Sequence, residues 1–253
     1  MRLLASGPMP LSPALTTALA DIETVFNGFA SPGETGCERC FGPTETAFLR
    51  TPYTRVPGEL VSRFVFKDPT HFVDHAAVLR RLLPQMARAM AEGELDGIGW
   101  GAHGLSRTDW RAWSAGQAAA IEAFLHAWWQ DALTKPESPY GVQDVFETCA
   151  TIARSVTPFL DGWAQDPVAD AHFVHCADHW LYYLVSDASP FTWWYDDTED
   201  AGVADLRTWL AGPGAARLRA HGHPDLATRA ELLALPYDER WAHPYWTSPS
   251  ATN

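Results

Sequence analysis

The chain has 253 residues, 31 acidic and 18 basic, for a formal net charge of -13 with histidine neutral. That length buries a full core without disulfide support. The acidic balance, with no basic stripe, excludes nucleic acid and anionic membrane as partners, because both rely on clustered Lys and Arg.

The first residues, MRLLASGPMPLSP, hold too short an apolar run for a secretory core, and far fewer than the roughly 20 apolar residues of a membrane-spanning helix. A cytoplasmic protein is expected. In a reducing compartment four cysteines are usually free thiols, and a close pair points to metal or redox chemistry more than to a structural disulfide.

Helical periodicity begins at Ser12-Pro13, an N-cap followed by proline at the first helical position, with Leu15, Leu19, Ile22 and Phe26 as the apolar stripe of a helix over 13–28. Residues 31–43, SPGETGCERCFGP, form a glycine- and proline-rich turn carrying Cys37 and Cys40. Thr44 can cap a short helix through Leu49, and Pro57 opens another through Phe66. Asp68-Pro69 starts a long helix striped by Phe72, Ala76, Leu79, Leu83, Met86 and Met90, with Arg80, Arg81 and Arg88 on its polar face. Pro84 is expected to kink or split it.

Ser114 and Gln117 form a capping box ahead of Ile121, Leu125, Trp128 and Ala132. Val142, Val145, Cys149, Ile152 and Val156 make a further stripe, placing Cys149 in the core. A helix over 168–186 follows, then short helices near 204–210, 213–220 and 224–235. The tail from Pro236 is expected to lie extended on the surface. Strand signals are scarce, RFVFK being the best.

The pattern is all-α: a multi-helix antiparallel bundle or an irregular helical-repeat array. It reads as a single helical domain over 1–253, with a possible subdivision into a CxxC-containing half, 1–135, and a histidine-rich half, 136–253. Twelve tryptophans, several in close pairs, suit a thick aromatic core or an aromatic surface.

The run from FNGFASPGETGCERCFGPTE through RFVFKD, RRLLPQMARAM and AIEAFLHAWWQDAL, residues 22 to 133, resembles an uncharacterised bacterial family, mostly actinobacterial. That family has a Gly-Cys-x-x-Cys-x-x-Pro-Glu turn and a Phe-Leu-x-Ala-Trp-Trp helix. Gly36, Cys37, Cys40 and Pro43 match the turn, while Thr44 stands at the glutamate position with Glu45 beside it. The resemblance supports the helical fold and implies no activity.

Two clusters can carry chemistry. Cys37 and Cys40 are spaced to clasp one tetrahedral ion, zinc above all, as half of a four-ligand site. An inert pair is the alternative reading, and a redox dithiol ranks below both, since no βαβ unit supports it. Histidines can complete the site: His71 and His75 at i and i+4 are expected on one helical face. In HFVHCADHW, the residues His172, His175, Cys176 and His179 form a narrow stripe. The outer two lie about 10 Å apart along the axis, so one ion can be shared by His175, Cys176 and His179 only.

Gly99–Gly104 matches GxGxxG without a preceding strand, and the Asp196–Asp200 run lacks EF-hand spacing. Glu122 and His126 stand at i and i+4 with no Glu-x-x-His repeat to support a di-iron bundle, and no GxSxG elbow or phosphate loop occurs.

Two functions compete. The first is a non-enzymatic helical protein that binds a protein or small molecule at an aromatic-rich surface, with zinc at the CxxC turn. The second is a metal-dependent enzyme using the His172/His175/Cys176/His179 face, with Asp196 or Asp197 as base. The absence of an assembled catalytic set favours the first.

Overall fold

The computed structural model describes residues 10–99, 103–192, 194 and 196–247. Every regular element among them is helical, so the all-α reading holds. No helix among them is long and apolar enough to cross a membrane. The chain divides into two compact units, Met1–Ala153 and Arg154–Asn253. The boundary thus falls after Ala153, not at 135, because the helix at 142–153 packs on the helix before it.

The first unit opens with α1, Pro13–Val25, whose N-cap Ser12 accepts from the Leu15 amide. Pro43–Arg50 is α2. Gly42 rather than Thr44 is its cap residue, since Pro43 has the fixed φ suited to the first helical position and the Glu45 carboxylate accepts from the Gly42 N–H at 2.7 Å. Gly58–Val65 is α3, and the RFVFK segment lies in and just after it.

The long helix starts later than its sequence suggests. Pro69–His71 forms an isolated 3-10 turn, and α4 runs His75–Glu92 from an Asp74 cap. His71 and His75 therefore do not share a helix face. α4 continues unsplit through Pro84, held by burial of Leu82, Leu83, Met86 and Ala87 on either side.

Arg81 is buried at 7 % exposure instead of lying on a polar face. Its guanidinium donates to the carbonyls of Thr51 and Thr54, and Gln85 bonds both the N–H and the carbonyl of Val56, fastening the 51–56 segment to α4.

Ala115–Leu133 is α5, with the Ser114/Gln117 capping box in place, and Val142–Ala153 is α6. α1 packs on α5 and α4, and α5 packs on α6, around Trp128, Trp129, Phe124, Phe146 and Cys149. These buried aromatic rings, each worth several kcal/mol on truncation, stabilise the unit together with buried aliphatic side chains such as Leu15, Ile22, Leu79 and Ile121.

The second unit comprises α7, Thr157–Asp161; α8, Pro167–Leu184; α9, Glu199–Trp209; α10, Ala215–Ala220; α11, Pro224–Leu232; and α12, Tyr237–Ala242. A five-residue π-turn, Leu210–Gly214, joins α9 to α10. The segment after Pro236 is helical rather than extended. Arg240, 2 % exposed, donates to the carbonyls of Leu184, Val185 and Leu235 and pairs with Asp187 at 2.9 Å. One guanidinium thereby satisfies the C-terminal carbonyls of α8 and fixes the tail.

Candidate metal centre

The donor atoms of Cys37, Cys40 and His71 all lie within 4.8 Å of one another, and all three residues are half-buried. The turn that carries the thiols is closed by the Cys40 and Phe41 amides, which donate to the Cys37 carbonyl at 2.8 and 3.0 Å. Gly36 enters it with φ +65, and a Cβ there would stand 2.9 Å from Thr46 Cγ2, so glycine is required twice over.

Three contacts bring the turn to His71. Phe41 packs against Phe64 and Phe72, with ring centroids 4.7 and 5.7 Å apart, so the residue after Cys40 and the residue after His71 share one aromatic cluster. Arg63, donating to the Cys40 carbonyl at 2.7 Å and pairing with Glu45, ties the turn to α3 and α2, and Phe64 of the same α3 packs against Phe72.

The third contact is Glu34, which is fully buried. Its carboxylate accepts from Gly36 N–H at 2.8 Å, from Val73 N–H at 3.1 Å and from Asp74 N–H at 3.2 Å. One side chain thus joins the entrance of the cysteine turn to the segment just beyond His71.

Cys40 Sγ and His71 Nδ1 are 3.5 Å apart. A tetrahedral ion with metal–sulfur and metal–nitrogen bonds of the zinc lengths has an S–N edge of about 3.6 Å. The Cys37 thiol is lowered to about 7, chiefly by His71, then by the Arg39 N–H and the Cys40 thiol, with the Cys40 N–H adding to them against a small cost of burial. Both thiols are free. The thiolate is the ligand form, so the turn is electrostatically prepared for a cation.

Sequence spacing found Cys37 and Cys40 and flagged His71, but paired His71 with His75. His75 instead turns away: its Nδ1 meets Thr108 Oγ1 at 3.1 Å, and its ring stacks on Phe72. His103, 3 % exposed, accepts from Leu105 N–H through Nδ1. Nε2 of both imidazoles is buried without a hydrogen-bond partner among the described residues. Glu34 and Arg63 carried no sequence signal beyond lying near the turn and its neighbours.

On α8, Cys176 is completely buried beside Phe173, Ala177 and Trp180, whereas His175 is exposed and His179 is half-buried against Tyr183. The edge of the core runs through the stripe, and the ligand atoms of His175, Cys176 and His179 do not gather as those of the first site do. His172 is half-buried on the same helix.

Asp196 is engaged elsewhere, accepting from Trp194 Nε1 and Thr198 N–H and pairing with Arg154; despite the opposing cost of burial, these partners hold its carboxyl below the usual range. Trp100, Gly101 and Ala102 of the GxGxxG match, together with Trp193, Tyr195 and the last six residues of the tail, lie outside the described residues. Gly104 opens a 3-10 turn, Gly104–Arg107, and does not begin an α-helix.

Comparison with protein-family models, curated proteins and solved structures finds no match to this chain. Fold and site together define the class: an all-helical protein with a Cys/Cys/His donor group held between a tight turn and a 3-10 turn.

Proposed function

We propose that this chain is a non-enzymatic helical binding protein whose Cys37–Cys40 turn and His71 hold a zinc ion. The observation that carries the reading is the donor geometry, three soft or borderline ligands within 4.8 Å with one edge at 3.5 Å. Thiolate and imidazole together suit zinc over calcium or magnesium, which take oxygen ligands. Zinc here ties the CxxC turn to the segment leading into α4.

The binding half of the reading is supported by the second unit. Tyr182, Tyr183, Arg229, Trp241 and Trp246 line a groove of about 450 Å³, with Tyr182 73 % and Trp241 42 % exposed. Amphipathic rings at a surface groove suit recognition of a protein or a small molecule.

Elemental analysis of protein purified without chelators tests the metal. The expected result is one zinc per chain, lost in Cys37→Ala/Cys40→Ala. Fully folded protein that purifies free of metal and takes up none on addition of zinc contradicts the proposal. Metal kept in that double variant but lost in His175→Ala would move the site to α8.

A further inference from the structure

The geometry points to a metal centre with an exchangeable fourth position that takes an exogenous thiol. This rests on the metal reading above and adds to it how the ion is used. Structural zinc sites are closed by four protein ligands, whereas sites with three keep one position for an outside donor.

Only three donors assemble here. Among the described residues no further His, Cys, Asp or Glu joins Cys37, Cys40 and His71. The residues outside the description contain none of these four types. The other two thiols, Cys149 and Cys176, are each fully buried in helix cores. Because all three ligands are only half-buried, solvent reaches the centre.

Charge selects the donor. A divalent ion with two thiolates and a neutral imidazole is neutral overall, so it attracts an anionic fourth ligand more than a site with three or four thiolates does. The surroundings leave that neutrality in place: Arg63, which binds the Cys40 carbonyl, is paired with Glu45, and the exposed Arg39 stands beside the exposed Glu38 in the turn. A thiolate is both anionic and soft enough for zinc. On binding, the thiol S–H gives its proton to buffer, the sulfur donates its lone pair to the ion, a solvent water at the fourth position is released, and no oxidation state changes.

The test uses the full chain loaded with cobalt(II), reduced with a phosphine, and titrated with 2-mercaptoethanol. The expected result is a saturable shift of the visible d–d bands and a rise of about 1.5-fold in the thiolate-to-metal charge-transfer band, as three thiolates replace two. A cobalt spectrum that is four-coordinate and unmoved by the thiol overturns the open position while leaving the metal site intact. Bleaching of the charge-transfer band, meaning extraction of the ion, also overturns it. Failure to bind cobalt or zinc at all sinks the metal reading and this inference together.

Discussion

Glu34 is the residue on which the candidate site depends most after its ligands, since its carboxylate bonds both the Gly36 and the Val73–Asp74 backbone. Glu34→Ala strands three amide donors and should cost about 3 kcal/mol or more, read from urea unfolding, and weaken zinc binding in a competition titration. Glu34→Gln keeps an acceptor oxygen and should fall between. An alanine variant with native stability and native affinity would contradict this role. Gly36→Ala forces a Cβ into a left-handed position against Thr46, at about 1–2 kcal/mol in the same assay. At this scale the sequence disclosed the thiols through their spacing, but the third donor only ambiguously. An i, i+4 histidine pair looks the same whether or not Asp74 interrupts the helix between its members, and a buried acid that bonds only backbone leaves no pattern.

Elements were more legible, because caps and apolar periodicity act locally: Ser12-Pro13, Ser114/Gln117 and the stripe from Val142 to Ile152 all fix helices where the physics of single segments suffices, although the helix stops at Ala153 and leaves Val156, expected on the same stripe, to cap α7. The misreadings arose where tertiary contacts decide. Buried leucines carry α4 past Pro84, and the Arg240 guanidinium folds the tail into α12. The junction of α4 with the 103–108 turn yields a pH prediction. Burial holds His75 at about 4 and His103 at about 3, both below the ordinary 6.5. Asp68, Asp74 and Glu34 pull His75 upward and Arg107 pulls it downward, while His75 itself lowers His103. Protons therefore bind the unfolded chain first. The stability these neutral rings contribute is complete above about pH 6.5 and is lost as pH falls toward 4, with a slope on the order of 1 kcal/mol per pH unit for each imidazole. His103→Asn retains an acceptor for the Leu105 amide and cannot titrate, so its urea midpoint should fall less steeply with acid. An unchanged slope would refute the assignment.

For the whole molecule, a net charge of -13 predicts no salt-dependent shift in fluorescence anisotropy of a labelled DNA duplex at low ionic strength, and clear titratable binding would contradict that. The ion should also stabilise the fold by mass action, about 3 kcal/mol when free zinc exceeds the dissociation constant a hundredfold. Chelator should lower the unfolding midpoint of the native chain and leave Cys37→Ala/Cys40→Ala unmoved. The second unit's aromatic groove was foreshadowed by tryptophan content alone, since composition says that rings are abundant but not where they face. Cys40 and His71 stand 31 residues apart in the chain, with α2 and α3 strung between them. An ion clasped by both works as a reversible cross-link. If retained after unfolding, it denies the denatured chain about 4 kcal/mol of loop entropy, as a disulfide of that span would, yet it can be installed or withdrawn by the supply of metal without any electron changing hands.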